Sequence, residues 1–242
     1  MHTKNLIAML IVFSAALMCS CVSQTQKKLS AEVWKFDSLT NINGYSIEKI
    51  GQPKVVTSPF GKAVSFDGDG DRLLVNANPL GDATEFTIEI IFKANDVFPN
   101  NHEPRIFHIE SPDNPARRIT LELRLNDKKQ WYFDAFIKSE KSQFTLIDPT
   151  KVHPVGEWVH AAMTYKDREL VSYVNGKKEL TGTVDYLTIP ANAKTSVGAR
   201  MNQIHWFNGD VFAVSVVKRS LEPQKFLLLA CMENKYLVGA TD

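Results

Sequence analysis

Cysteine is scarce in this 242-residue chain, which carries only Cys19, Cys21 and Cys231. Two of the three fall in the extreme N-terminal segment, so a processed chain would keep at most one thiol free for chemistry. A lone thiol excludes an internal disulfide, a zinc site and a redox pair. The apolar neighbours of Cys231, from Phe226 to Met232, predict a small buried hydrophobe rather than a nucleophile. Charge of one sign is lacking too: 28 basic and 27 acidic side chains leave a net +1, with no basic field to draw nucleic acid. No apolar run approaches the ~20 residues that span a bilayer as a helix. There is no internal repeat, and no compositional shift marks a second domain. A chain of this size buries roughly 70% of its unfolded surface and needs no covalent staples.

What is present begins with an address. His2 and Lys4 precede the short apolar run Leu6–Phe13, and the small residues Ser14, Ala15 and Ala16 follow. The segment Leu17–Cys21 resembles a bacterial lipoprotein signal, in which a small residue precedes the cysteine that is acylated. Ser20 before Cys21 fits that rule and Met18 before Cys19 does not, so the resemblance implies lipidation at Cys21. Met18 and Cys19 are atypical in the positions just upstream, and a plain secretory signal cut nearby is the alternative. The expected layout is a signal peptide over 1–20, a polar tether over 21–32 and one domain over 33–242. Several acyl chains on one cysteine anchor stably, since each buried methylene contributes about 0.8 kcal/mol. The expected location is the cell envelope, lipid-anchored at the outer membrane.

From Val33 onward the pattern is strand, turn, strand. Phe86–Phe92, Ile119–Leu125 and Trp131–Ile137 alternate apolar and polar with period two. Trp158–Tyr165 and Leu170–Val174 form a further pair, closed by an Asn175-Gly176 turn, and Val211–Val217 is a last strong strand. Ala63–Phe66 and Leu73–Val75 flank Asp67-Gly68-Asp69-Gly70-Asp71, which reads as a hairpin turn. The three aspartates also invite a calcium reading, but Leu73 and Leu74 follow at once, where a calcium loop would run on to a bidentate Glu. Only Leu221–Ala230 has the makings of a helix. Short strands at regular spacing predict an all-β sandwich rather than βαβ units. Loops rich in breakers, 95–104 and 111–115, lie where binding usually resides on a rigid sandwich.

A resemblance emerges from six pieces in order: Ala63–Arg72, Phe86–Ile90, Gly156–Ala162 with Tyr173–Gly176, Ser196–Arg200, Phe207–Val211 and Lys218–Pro223. Together they resemble the laminin-G-like branch of the concanavalin A-like lectin/glucanase superfamily, over about residues 33–225. The resemblance implies a jelly-roll sandwich of two antiparallel sheets. It allows a structural calcium held by loop carbonyls and requires no other cofactor. His160 matches a structural histidine of such domains, and a satisfied core position is expected for it. The fold hosts lectins, carbohydrate-binding modules, hydrolases, lyases and adhesive modules, so function must come from the site.

Retaining glycosidases of this fold resemble one another in a strand bearing two acidic residues at short alternating spacing, because the chemistry needs an acid and a nucleophile about 5–5.5 Å apart. That signature is missing here. Glu85 and Glu89 lie four apart, with Glu89 facing opposite to Ile88 and Ile90, while Thr120 and Arg124 flank Glu122, and Tyr132 and Phe136 flank Asp134. A lyase site built from Arg124, Tyr132 and His160 stays open. Sugar binding needs a flat aromatic against a ring face with planar polar groups around it. Arg200, His205 and Trp206 crowd into one inter-strand loop and form the first candidate site. The alternative is that Trp206 and Phe207 pack beneath the loop as core. His108, Arg124 and Tyr132 are further candidates, and Arg117 with Arg118 gives a second cationic set whose default is a solvated strand edge. The leading expectation is a non-catalytic surface lipoprotein that binds a polysaccharide and serves its capture and utilisation. An atypical lyase or hydrolase and an envelope protein-interaction module are the alternatives.

Overall fold

The computed structural model describes residues 30–239. The signal segment, Cys19 and Cys21 lie outside the described residues. In chain order the strands are β1 (Ala31–Lys35), β2 (Asn41–Ile42), β3 (Tyr45–Ile50), β4 (Lys54–Ser58), β5 (Gly61–Asp67) and β6 (Arg72–Val75). Next come β7 (Phe86–Ala94), β8 (Arg105–Glu110), β9 (Arg117–Leu125), β10 (Gln130–Ser139), β11 (Ser142–Ile147) and β12 (His153–Pro154). The series ends with β13 (Trp158–Lys166), β14 (Glu169–Val174), β15 (Lys177–Thr183), β16 (Lys194–Val197), β17 (Asn208–Val217) and the helix α1 (Leu227–Gly239). All strand pairs are antiparallel. One sheet runs β15-β14-β13-β7-β17-β5-β4 with β1 added beside β17; the other runs β11-β10-β9-β8-β16-β6-β3-β2 with β12 beside β10. This is the concanavalin A-like jelly-roll sandwich that the sequence implied.

The period-two strands explain why the sheets stack. Phe86, Ile88, Ile90 and Phe92 of β7 point inward against Phe107, Leu121, Leu123 and Phe133 of the facing sheet, and all belong to one buried core. The last long strand, β17, lies in the middle of its sheet between β7 on one side and β5 and β1 on the other. Thr87, Glu89 and Ile91, which alternate with them, are buried too. Ile91 packs with Leu228 and Met232 of α1, so the outer face of the eight-stranded sheet is covered by the C-terminal segment. Antiparallel sheets commonly leave one face to solvent. Here the nine-stranded sheet supplies that open face.

Three local expectations are corrected. The Asp67–Asp71 segment does not close a hairpin, because β5 pairs with β4 and β17 in one sheet while β6 pairs with β3 and β16 in the other. It is a corner between sheets, held by Asp71, whose carboxylate accepts the backbone N–H groups of Gln52 and Asp67. Among the described residues no group of three or more His, Cys, Asp or Glu side chains is placed to hold a metal ion. The Asn175-Gly176 turn joins β14 to β15, whereas β13 and β14 turn at Asp167 and Arg168, both at positive φ without glycine. Cys231 is exposed, not buried. Helical spacing is the reason: Leu228 and Met232, four residues apart, take the inward stripe of α1, and Cys231 falls beside it.

Candidate functional site

The open face of the nine-stranded sheet is built from the residues that alternate with the core. Register sets Tyr132 opposite Arg124, Asp134 opposite Glu122, and Phe136 opposite Thr120, all on the outer side. A carboxyl pair therefore exists after all, across two strands rather than along one. Arg124 clamps Asp134 Oδ2 through Nε at 2.9 Å and Nη2 at 2.7 Å, and also pairs with Glu103. Arg105 Nη2 lies 2.9 Å from Glu122 Oε2. Such forked guanidinium–carboxylate contacts fix orientation as well as charge. Arg105, Glu122, Arg124 and Asp134, with Arg118 and Arg200, line a niche of about 230 Å³.

Electrostatics in the niche follow from its depth. Burial, reinforced by the neighbouring Asp134, outweighs Arg105 and Arg124 and pushes the Glu122 carboxyl up to about 7. Asp134 is also raised by burial, against the pull of Arg124. Burial alone would raise Glu103 as well, yet Arg105 and Arg124 hold it below the usual carboxylate range. A carboxyl whose folded pKa is raised contributes stability that is full below its unfolded pKa and is lost as pH rises through the folded one. Glu122 is therefore expected to cost the fold up to ~3 kcal/mol as pH climbs from about 4.5 to above 7. Urea unfolding of wild type and Glu122→Gln across that range checks it. The stability difference between them should shift with pH, and a constant difference would refute the raised pKa.

Beside the niche, two loops meet. Asn101 Nδ2 donates to the Trp206 carbonyl, Asn95 Nδ2 donates to Asn208 Oδ1 at 2.8 Å, and the Arg105 N–H reaches the His205 carbonyl at 2.9 Å. From below, Arg72 Nη1 donates to the Met201 carbonyl at 2.7 Å. Gly198, at φ 90°, lets the chain enter this loop against Phe66, where a Cβ would drive into the ring. The loops thereby frame a cleft of about 700 Å³ lined by Asp67, Asp69, Asp96, Phe98, Asn101 and Trp206, among others. Phe207 is fully buried, while Trp206 is half-buried and lines the cleft. His205 lines it too, and its Nδ1 sits 3.5 Å from Glu103 Oε1, which joins the cleft to the niche. Burial and then Arg105 lower the His205 pKa, against the pull of Glu103.

The six candidates of the sequence thus separate. Arg200, His205 and Trp206 come together at the cleft and niche. Arg124 stands in the niche wall with its fork already engaged. Tyr132 shares the open face but lines neither cavity. His108 is corrected: it is fully buried, and its Nδ1 accepts the Met201 N–H at 2.9 Å, so it positions the loop from beneath instead of reaching a ligand. Burial lowers its pKa. Arg117 and Arg118 project to opposite sides of β9; Arg117 pairs with Glu140, away from the niche. Sequence reasoning missed Phe98, Asp96, Glu103 and Asn101. Their signal was the breaker-rich loop 95–104, but nothing local says which other loop it meets.

The geometry has counterparts among known proteins. A family model, Laminin_G_3 of the concanavalin A-like lectin/glucanases superfamily, matches residues 67–225. The chain belongs to this family. No curated protein matches this laminin-G chain in sequence. Among solved structures it is similar to domain 4 of AbnA, a GH43 extracellular arabinanase from Geobacillus stearothermophilus, in complex with arabinotriose. That match has a TM-score of 0.65 and 18% identity over 84% of this chain and 98% of the other. It is also similar to botulinum neurotoxin type C, whose cell entry depends on interaction with two ganglioside molecules, at TM-score 0.60 and 13% identity over 85% of this chain. The laminin-G chain spans about half of that toxin structure, 51% of its length. The botulinum serotype D binding domain matches with TM-score 0.60 and 11% identity over 84% of this chain and 51% of the other. At these identities the likeness concerns the fold.

Proposed function

We propose that the protein is a non-catalytic, glycan-binding lipoprotein of the cell surface. Lipid on Cys21 would hold it at the outer membrane, where it captures a polysaccharide for utilisation by enzymes and importers. The observation that carries the reading is the cleft framed by the loops beside the open face. Trp206 and Phe98, the latter 40% exposed, offer ring faces for stacking. Asp67, Asp69, Asp96 and Asn101 surround them with groups that pair with hydroxyls. Hydrogen bonds between the two loops fix these groups before any ligand arrives, and such preorganisation lowers the entropic cost of binding. The arabinotriose complex and the ganglioside dependence belong to the other proteins, and they support a sugar ligand by analogy of scaffold. Affinity electrophoresis of the domain through algal, plant and host polysaccharides tests the proposal. Retardation by at least one glycan is expected, and a folded protein slowed by none would overturn it.

One observation favours a second reading, a hydrolase or lyase. Glu122 titrates near neutrality opposite Asp134, as a general acid should. Against it, both carboxyls are already engaged by arginines. New reducing ends or unsaturated uronates from the same glycans, abolished in Glu122→Gln, would install this reading in place of the first.

A further inference from the structure

The niche on the sheet holds four guanidinium groups, and their partners are unequal. Arg105 and Arg124 are matched by Glu122, Asp134 and Glu103. Arg118 and Arg200 line the same niche, and neither forms an ion pair among the described residues. Glu110 and Glu122 act on Arg118 only at longer range, while Arg200 opposes it. Burial, together with the charge of Arg200, lowers the Arg118 pKa. Arg118 and Arg200 thus stand as two half-buried like charges with no carboxylate in direct contact, close enough to repel each other.

The Arg118 side chain is held in place, and the backbone that carries Arg200 is fixed by a turn. The Arg118 guanidinium rests over the Phe136 ring at 5.2 Å from its centroid, and Nη1 donates to the Pro115 carbonyl at 2.6 Å. Arg200 opens a tight turn, its carbonyl accepting the Gln203 N–H at 2.9 Å and its own N–H donating to Ile204. Deeper in the niche, Asp134 Oδ1 and Arg105 Nε are buried without a hydrogen-bond partner, one acceptor and one donor that a sugar hydroxyl could serve together.

Resting on the glycan-binding reading, we propose that Arg118 and Arg200 form an anion subsite for a carboxylate or sulfate group on a sugar ring. The ligand is accordingly an acidic polysaccharide. A planar guanidinium pairs in forked fashion with either oxyanion, and two of them around one anion remove their mutual repulsion. The niche is large enough for one substituted ring, and His205 with Glu103 leads from it to the Trp206 cleft, where the next ring along the chain would lie.

The test uses small probes, so that it stands apart from the wider reading. The arginine Nε–H resonances of the folded domain are followed by NMR while sodium glucuronate or sodium sulfate replaces chloride at constant ionic strength. Saturable shifts at Arg118 and Arg200, with Arg117 unmoved, are expected. Response to glucuronate alone would assign a uronate, and to sulfate alone a sulfate ester. Arg118→Gln with Arg200→Gln should weaken binding roughly tenfold or more, while Arg117→Gln leaves it unchanged. Equal linear drift at all three arginines would overturn the subsite. Tight binding of a neutral glycan that ignores both substitutions would also overturn it while leaving the glycan reading intact. A saturable anion response in a domain that no polysaccharide retards would do the reverse.

Discussion

Glu89→Ala is expected to lower the melting temperature by roughly 10 °C or more. Glu89 is fully buried at the centre of the eight-stranded sheet, on the face turned away from the main core. Its two oxygens accept the N–H groups of Leu227 and Leu228 at 2.9 Å each, and Oε2 also meets His160 Nε2 at 3.0 Å. The side chain thus fastens the first turn of α1 to the sheet and satisfies amides that a helix start leaves open. Truncation strands those amides and leaves His160, whose Nδ1 already has no partner, buried with neither ring nitrogen bonded. Breaking a buried pair of this kind costs about 3–5 kcal/mol, a large share of the 5–15 kcal/mol that holds a typical domain. Glu89→Gln keeps one acceptor oxygen but aims an amide donor at donors, so it should lose less than alanine and more than a surface change. Thermal unfolding of the three proteins decides. An alanine variant that melts within about 2 °C of wild type would mean that α1 is held by Leu228 and Met232 alone.

Trp206→Ala is expected to leave the melting temperature nearly unchanged and to weaken glycan affinity by roughly ten- to a hundredfold. Stacking of an aromatic on a ring contributes about 1–3 kcal/mol, which converts to that range. Phe207→Ala supplies the contrast. That ring is fully buried and packs against Phe66 and Phe92, and its loss should cost about 3–5 kcal/mol of stability. Calorimetry paired with affinity electrophoresis separates the two neighbours. If Trp206→Ala melts as early as Phe207→Ala, the indole belongs to the core and the cleft has lost its platform.

The sandwich could be read from the sequence because period-two alternation is a local property, and β7, β9 and β10 each carry it. Strand partners are not local. Asp67–Asp71 looked like a hairpin since a turn of aspartates and glycines reverses a chain equally well within a sheet or between two. The same gap hid Glu122 from Asp134. A search along one strand finds Thr120 and Arg124, and only register across β9 and β10 brings the carboxyls together. Glu89 stood out as polar in an apolar strand, yet its partners come from a helix 138 residues later. The cluster of Arg200, His205 and Trp206 was legible because one loop contains it. Phe98 and Asn101 reach it from another loop, and His108 could not be told from a ligand contact until its burial was known.

The placement of β17 also governs when this domain can come into being. The central strand of the sheet is the last one synthesised, and its neighbours β5, β7 and β1 all precede it. Until residue 217 has left the ribosome, those earlier strands have unfilled edges and no common partner. Trp34 finds its register partner only in Val214, nearly the whole described chain away. Closing so long a loop is slow, and a partly synthesised sheet gains little from folding early. The sheet can therefore close only late in synthesis, once β17 is available to β1, β5 and β7. Its vulnerable interval is the one before completion, when apolar edges wait for a strand that has not yet arrived.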